Sequence, residues 1–308
     1  MQPKAYLSFV GLGWMGQPMA MNLLQAIQGE MDICVFDRQA ERMTPLVTCG
    51  ARAAERLGAV AHEGGIVFSM VPDDRTLLQI ALGEGGILKQ LGKGGIHVSC
   101  STVSPQVSRQ LDKLYQKSGN TYVTAPILGD PDVAERGELT FFLAGKSAAK
   151  QRVKPLLVTM GKRLFDLGEQ VEAANVATLA GRLLIASAIE ALGEAAALAE
   201  EYGLDRVRFL EIMRRLPPFQ GSVYQEVSRM IGTRDFSEKG FPVQEGLREV
   251  ELAIQIGQQK DLDLPHADVA YEHLLAAQEA GRGQEDWSAF SDFARRGASS
   301  GLFSTAAF

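Results

Sequence analysis

The sequence A-Y-L-S-F-V-G-L-G-W-M-G, residues 5–16, places an apolar strand directly before a glycine-rich loop. Gly11 allows the tight turn after the strand, Gly13 lets the backbone approach a pyrophosphate, and Gly16 lets the next helix pack close to the sheet. The diphosphate then lies at the N-terminus of that helix. We therefore expect this loop to bind a dinucleotide. The intervening loop residues are further candidate contacts: Leu12, Trp14 and Met15.

A second apolar run ends at Asp37, 21 residues after Gly16, where the adenosine ribose of a bound dinucleotide is expected. A carboxylate at this position favours the free 2′-hydroxyl of NAD(H). Arg38, with Arg42 one helical turn later, instead favours the 2′-phosphate of NADP(H). The two signals disagree. They favour NADP(H) slightly over NAD(H), and a solvated pair of arginines is the alternative interpretation.

The first part of the chain alternates between apolar strands and helical segments. Its strands are apolar throughout, which predicts a mainly parallel sheet covered by helices on both faces. After Leu167 the pattern is helical and begins with one long helix at about 171–202. We expect an α/β Rossmann-type domain at 1–168 and an all-α domain at 169–308. The predicted strands are Ala5–Val10, Met31–Phe36, Ile66–Met70, Ile96–Ser99, Tyr122–Thr124 and Leu139–Ala144.

Composition excludes several classes of partner for this chain of 308 residues. With 31 basic and 37 acidic residues interspersed, nucleic acid is not the expected partner. Three scattered cysteines and four scattered histidines predict neither disulfides nor a metal site. The longest apolar stretch, 175–199, carries three charged residues, so we expect no membrane span. The N-terminus lacks a secretory pattern, which predicts a cytoplasmic protein.

The run F-V-G-L-G-W-M-G-Q-P-M-A-M-N-L-L, residues 9–24, resembles the opening of the β-hydroxyacid dehydrogenase superfamily. M-V-P-D at 70–73, S-T-V-S-P at 101–105 and T-A-P-I-L-G-D at 124–130 resemble later motifs of the same family, in the same order. The resemblance implies a Rossmann-type domain, a long interdomain helix and a helical domain that completes the site. It also implies a homodimer or homotetramer.

Site residues follow from the resemblance, position by position. It implies cofactor contacts in the loops after two strands and near the end of the helical domain, at Val71, Pro72, Thr102 and Arg248. It implies substrate contacts at Ser101, Leu128, Gly129 and Asp130. Two of these depart from the family pattern, because Leu128 stands where a carboxylate-binding Ser is expected and Asp130 replaces a Gly. Asp130 would then bind a cationic substrate group or cap a turn.

The catalytic positions depart most from the family pattern. Thr178 stands where the family has a Lys, Arg182 where it has an Asn four residues later, and Arg248-Glu249 where it has Lys-Asp. A buried Lys can exchange a proton near neutral pH, whereas a Thr hydroxyl is a poor acid and Arg stays protonated. The site is therefore expected to keep positive charge and lose its titratable amine. Common 3-hydroxyacids would be poor substrates, although Arg182 would offer a substitute anchor for an acid.

Three functions remain open at this point. The first is an NAD(P)H-dependent reductase in which Thr178 and Arg182 polarise a carbonyl group. The second is an imine reductase, because an iminium carbon needs no proton donor when it receives hydride. The third is a dinucleotide-binding protein without catalysis. Tyr224 would replace the missing proton donor, or it would simply pack in a helix.

Overall fold

The computed structural model describes residues 7–28, 31–216, 221–237 and 240–293. They form two compact units, one up to Thr178 and the other from Leu179. The division falls inside the long helix, whereas the boundary expected from the sequence falls before it.

The first unit is built on a six-stranded parallel sheet with the strand order β3-β2-β1-β4-β5-β6. From β1 the chain builds outward to β3 and then returns to the other side of β1 with β4. The carboxyl ends of β1 and β4 therefore flank the point where the strand order reverses, the usual ligand position in such sheets. The strands are β1 (Leu7–Val10), β2 (Ile33–Phe36), β3 (Arg52–Ala53), β4 (Ile66–Ser69), β5 (Ile96–Ser99) and β6 (Thr121–Thr124).

Both faces of this sheet are covered. Leu7 and Phe9 of β1 belong to one buried cluster, while Val10 belongs to a second. Two-sided burial explains why the strand sequences are apolar without alternation. The helices of this unit are α1 (Gly16–Ala26), α2 (Thr44–Thr48), α3 (Asp74–Leu82), α4 (Ile87–Gln90), α5 (Pro105–Lys117), α6 (Pro131–Glu135) and α7 (Ser147–Leu157).

A second, three-stranded sheet has the order β7-β8-β9 and comprises β7 (Ile127–Leu128), β8 (Leu139–Leu143) and β9 (Gly161–Asp166). Strand β8 pairs antiparallel with β7 and parallel with β9. The predicted strand at 139–144 therefore lies outside the main sheet. Its buried residues alternate with half-buried Thr140 and Phe142, which is the pattern of a sheet covered fully on one face only.

The helix α8 (Glu172–Glu201) leads into the second unit, which is helical in its described part. By length and composition α8 is apolar enough to cross a membrane, but 44% of its most apolar window is buried within the protein. Ile189 and Leu192 of α8 pack in the core of the second unit. The other helices are α9 (Arg206–Arg215), α10 (Ser222–Thr233), α11 (Val243–Gln258) and α12 (Pro265–Glu279), followed by a 3-10 segment, Trp287–Phe293.

Candidate functional site

The glycine loop after β1 has one glycine that opens outward and two that are enclosed. Gly11 has φ +89°, and a Cβ there would lie 2.2 Å from the carbonyl oxygen of Met70. A Cβ on Gly16 would lie 1.9 Å from the carbonyl oxygen of Gly11. Gly13 differs, because a Cβ would meet only the Arg42 guanidinium, at 3.8 Å. Gly11 and Gly16 therefore shape the loop, while Gly13 leaves room for a ligand to approach the backbone.

The helix that follows the loop begins without a side-chain cap and has no acidic residue in its first turn. Two neighbouring helices differ, since α3 is capped by Asp73 and α5 by Ser104. An uncapped N-terminus directed at a glycine loop is suited to an anion. Within the loop itself, Leu12 is buried, Met15 packs against the core and Trp14 is 54% exposed.

Asp37, at the end of β2, holds the loop in place. Its Oδ2 accepts a hydrogen bond of 2.7 Å from the Leu12 amide, and its Oδ1 accepts one of 2.9 Å from the Gln39 amide. The Arg42 guanidinium lies 3.9 Å from Oδ2, and Arg38 is exposed. Part of the carboxylate's accepting capacity is thus used by the protein backbone, although each oxygen retains room for a further hydrogen bond.

A cavity of about 670 Å³ connects these features. Its size is within the range of small-molecule and cofactor sites. The residues present fit a dinucleotide, since the cavity combines the open face of Gly13 with two arginines and apolar walls. Members of the glycine loop, of the end of β2 and of the loop after β4 all line it: Gly11, Gly13, Asp37, Arg38, Arg42, Val71 and Pro72.

The loops after β4 and β5 are fastened by side chains that sequence reasoning assigned differently or missed. Ser101, expected at the substrate, is fully buried, and its Oγ accepts a hydrogen bond of 2.8 Å from the Val71 amide. Asn175 of α8 accepts from the Val103 amide at 3.1 Å. In the sequence, Asn175 stood out only as a polar residue within an apolar helix. Thr102 is 7% exposed.

Asp74 is a second residue that the sequence reasoning missed. Its Oδ1 accepts a hydrogen bond of 2.8 Å from the Ser104 amide, so it joins the start of α3 to the start of α5. The sequence signal was present, since Asp74 follows the capping residue Asp73 directly. Only Asp73 caps α3, by accepting a hydrogen bond from the Thr76 amide, so the Asp74 carboxylate can bind the other loop.

The expected substrate loop contains one constrained glycine and one capping acid. Gly129 has φ +148°, and a Cβ there would lie 2.6 Å from a methyl group of Leu139. Leu128 belongs to β7 and pairs with Thr140. Asp130 caps α6 by accepting a hydrogen bond of 2.9 Å from the Val133 amide. Of the two roles left open for Asp130, the structure displays the cap.

The hydroxyl hydrogen of Thr178 is already used in a hydrogen bond within α8. The residue is fully buried, and its hydroxyl donates a hydrogen bond of 3.0 Å to the carbonyl oxygen of Ala174, one turn earlier in α8. A hydroxyl has a single proton, so donation to a substrate would require this bond to break.

Arg182, in the second unit, is bound by an acid. Its Nε lies 3.2 Å from Oε2 of Glu249, and both side chains are buried. Its guanidinium carbon lies 3.9 Å from the ring centroid of Phe241. Arg248 contacts the other oxygen of Glu249 at 3.3 Å and Glu245 at 3.5 Å. The excess positive charge expected from the sequence is therefore balanced by two glutamates.

Two remaining site predictions concern Tyr224 and metal binding. Tyr224 lies in the first turn of α10, and its side chain is outside the part that the structure describes. In the described ranges, no group of three or more His, Cys, Asp or Glu residues is placed to hold a metal ion.

Comparison with known proteins gives consistent matches along the chain. Residues 6–181 match the NAD binding domain of 6-phosphogluconate dehydrogenase. Residues 173–293 match the family described as NAD-binding of NADP-dependent 3-hydroxyisobutyrate dehydrogenase.

Two relatives align over most of the sequence. The uncharacterized oxidoreductase YfjR of Bacillus subtilis is 36% identical, over 92% of this chain and 97% of its own. The 2-hydroxy-3-oxopropionate reductase of Escherichia coli is 31% identical, over 92% of this chain and 94% of its own.

Solved structures share the fold. The Mycobacterium tuberculosis 3-hydroxyisobutyrate dehydrogenase with L-serine has a TM-score of 0.83 at 22% identity, covering 95% of this chain and 99% of that one. An imine reductase from a Pseudomonas species has a TM-score of 0.59 at 23% identity, covering 93% and 98%.

Proposed function

The chain belongs to the β-hydroxyacid dehydrogenase superfamily and is an NAD(P)-dependent oxidoreductase, and from that premise we propose that it reduces a small carbonyl substrate without the usual catalytic lysine. The observation that carries the proposal is the outward-opening Gly13 beside a dinucleotide-sized cavity, combined with Thr178 at the lysine position. When bound, the dinucleotide supplies or accepts a hydride. The reverse reaction, oxidation of a hydroxyl group, belongs to the same proposal.

The glycine loop and the loop after β4 would hold the cofactor. We propose contacts from the backbone of residues 11–16 and from Val71 and Pro72. Arg38 and Arg42 line the cavity next to Asp37, and together they favour the 2′-phosphate of NADP(H) over NAD(H). Thr102 and Arg248 remain proposed contacts on the strength of the family pattern.

The proposed catalytic residues Thr178 and Arg182 would act through hydrogen bonding and charge. Neither exchanges a proton at neutral pH, because a hydroxyl is too weak an acid and a guanidinium stays protonated. Water would then supply the proton that a reduced carbonyl oxygen takes up, with Tyr224 as the alternative donor. General acid catalysis contributes about 10²–10⁴-fold, so turnover of ordinary hydroxyacids would be weak.

Reduction of an imine is the second candidate function. It is favoured by the same observation, a non-titratable Thr178, since an iminium nitrogen already carries its proton. A dinucleotide-binding protein without catalysis is the third candidate.

A panel of small aldehydes, ketones and imines separates these candidates when NADPH oxidation is followed by absorbance. Turnover of carbonyls supports the first candidate, and turnover of imines alone supports the second. Calorimetric binding of NADPH without turnover of any substrate supports the third. Failure to bind either NADPH or NADH at millimolar concentration would contradict all three.

We further propose a homodimer formed through α8. Apolar residues recur along it, and at the residue just past its end, at alternating spacings of four and three, which is the seam of a paired helix: Leu184, Ala188, Ala191, Ala195, Leu198 and Tyr202. Leu184, Leu198 and Tyr202 are 73%, 63% and 83% exposed. The stripe is symmetric about its centre, so in an antiparallel pair each large residue meets an apolar counterpart.

Sedimentation tests the dimer. Leu184→Glu with Leu198→Glu is expected to give monomers, and Val158→Glu, at an exposed position in the first unit, is expected to leave the dimer intact. A monomeric unsubstituted protein would contradict the proposal.

We also propose the domain bounds expected from the sequence, 1–168 and 169–308, and a cytoplasmic location.

A further inference from the structure

Glu249 lies between two arginines in the second unit. Its Oε2 is 3.2 Å from Arg182 and its Oε1 is 3.3 Å from Arg248. The Glu249 side chain is 5% exposed and that of Arg182 is 8% exposed. Removing two such charges from water costs several kcal/mol per ion, and their attraction offsets this cost only while both partners remain. Arg182 and Glu249 therefore act as one buried pair.

The position of Arg182 is fixed from a second side by Phe241, whose ring lies under the guanidinium. The Phe241 amide donates a hydrogen bond of 3.1 Å to Asp286, and its carbonyl oxygen accepts one of 2.7 Å from the Trp287 amide. The Phe241 ring also packs edge-on against the Trp287 indole. A well-anchored ring and a buried carboxylate thus leave Arg182 little freedom to turn toward another anion.

Among the ion pairs that the structure describes here, positive and negative charges are equal in number. Arg182 and Arg248 contribute two positive charges, and Glu249 and Glu245 contribute two negative charges. A substrate carboxylate brought to Arg182 would also meet the Glu249 carboxylate, which would repel it. An uncharged carbonyl group meets no such repulsion.

We propose that Glu249 determines substrate specificity: by neutralising Arg182, it excludes carboxylate-bearing substrates and selects uncharged aldehydes, ketones or imines. The proposal rests on the proposed function, which places Arg182 at the substrate. It is the opposite of the expectation that Arg182 substitutes for the missing carboxylate anchor, and the two make opposite predictions for an acidic substrate.

The test compares succinic semialdehyde with its methyl ester, methyl 4-oxobutanoate, which has the same reacting aldehyde and no charge. The unsubstituted enzyme is expected to use the ester at least about tenfold better in kcat/KM, equivalent to roughly 1.4 kcal/mol. Glu249→Gln removes the negative charge beside Arg182, so KM for succinic semialdehyde is expected to fall about tenfold while KM for the ester changes less than about threefold. Glu251→Gln, an exposed acid on the same helix, is the control for a general charge effect.

The proposal would be overturned if folded Glu249→Gln had the same ratio of kcat/KM for the acid to kcat/KM for the ester as the unsubstituted enzyme. It would also be overturned if the unsubstituted enzyme preferred the acid. A purely structural ion pair would alter stability without moving this ratio. Should Glu249→Gln fail to fold, Arg182→Met with Glu249→Leu removes both charges together. The acid-to-ester ratio of kcat/KM is then expected to stay constant. A further fall of about tenfold in kcat/KM for the acid alone would show that Arg182 anchors carboxylates after all.

Binding separates this inference from the proposed function. If no variant turns over either substrate, the reductase proposal fails, and calorimetry with butyrate and butyramide in the presence of NADP⁺ tests Glu249 alone. Glu249→Gln is expected to bind butyrate about tenfold more tightly, with butyramide unchanged. Equal affinities for butyrate before and after the substitution would overturn the role of Glu249.

Discussion

The carboxylate of Asp37 accepts a 2.7 Å hydrogen bond from the amide of Leu12, which joins the end of β2 to the glycine loop. The residue expected to determine cofactor choice therefore also stabilises the conformation of the glycine loop. Its replacement would alter loop geometry and cofactor choice together. Arg42 provides the cleaner test of cofactor choice. Its guanidinium lies 3.9 Å from Asp37, and the hydrogen bond that its carbonyl oxygen accepts from Gln17 does not involve the side chain.

Arg42→Ala is expected to weaken NADPH binding about tenfold, since one charge-assisted contact to the 2′-phosphate is lost. NADH affinity is expected to change much less. Arg163→Ala, at an exposed arginine of β9 in the same unit, is the matched control. Calorimetry with both cofactors measures the ratio, and an equal loss for NADPH and NADH would contradict the proposed clamp.

Gly13→Ala and Gly16→Ala are expected to separate ligand binding from folding. At Gly13 the new methyl group makes only an ordinary van der Waals contact with Arg42, at 3.8 Å, so the protein keeps its stability but loses dinucleotide affinity about tenfold or more. At Gly16 the methyl group would meet the carbonyl oxygen of Gly11, and the free energy of unfolding is expected to fall by about 2 kcal/mol or more. Urea unfolding and calorimetry test both statements, and they fail if Gly13→Ala unfolds the protein or Gly16→Ala costs nothing.

The sequence predicted the main sheet well because strands buried on both faces are apolar at every position, and the glycine loop marks where β1 ends. It did not separate the small sheet from the large one. Strand β8 was recognised as a strand, but its partners β7 and β9 are defined by pairing between distant segments. Such pairings depend on tertiary contacts that no local pattern encodes.

Some features of the candidate site are visible in the local sequence and others are not. The three loop glycines are needed for local backbone geometry, and local geometry is visible in sequence. The pairing of Arg182 with Glu249 joins residues 67 positions apart, so the sequence displayed the arginine's charge without its partner. Asp130 lies between these two cases. Its place at a helix start is visible in the sequence, but a capping Asp and a ligand-binding Asp look the same there.

Stability is expected to depend on pH through His97, a fully buried residue of β5. Its ring contacts the Ser69 hydroxyl at 2.9 Å and the Tyr115 hydroxyl at 2.7 Å. Burial lowers the pKa of His97 from 6.5 to about 3. At pH values between about 3 and 6.5, His97 of the unfolded chain binds a proton that His97 of the folded protein does not. The stability contributed by neutral His97 is therefore complete above pH 6.5 and is lost progressively as the pH falls toward 3.

Urea unfolding between pH 7 and pH 4.5 measures this loss. The slope is at most about 1.4 kcal/mol per pH unit for one proton, so His97 is expected to account for roughly 2.5 kcal/mol over the interval. His97→Gln lowers stability at pH 7 but removes this titration, and its pH dependence should be correspondingly flatter. Identical slopes for the two proteins would show that His97 does not titrate in this way.

Restoring the family's amine is the last test, and it addresses the missing proton donor directly. Thr178→Lys with Arg182→Asn places an amine at position 178 and removes the neighbouring guanidinium, whose like charge would otherwise lower the lysine pKa further. Glu249 keeps Arg248 as its partner. The small aldehyde used is methyl 4-oxobutanoate, because Glu249 would repel the carboxylate of succinic semialdehyde. Because a positioned acid contributes about 10²–10⁴-fold, kcat/KM for this aldehyde is expected to rise at least about tenfold.

Thr178→Met with Arg182→Asn is the matched control, since methionine has a similar length without an amine. Thr178 is fully buried, so either long side chain must displace its neighbours, and both variants share that cost. A gain confined to the lysine variant assigns the effect to the amine. A gain in both variants would instead assign it to the loss of Arg182. An unchanged rate in a folded lysine variant that binds NADPH would shift the defect to the substrate loop, where Leu128 replaces the expected serine and Asp130 caps α6.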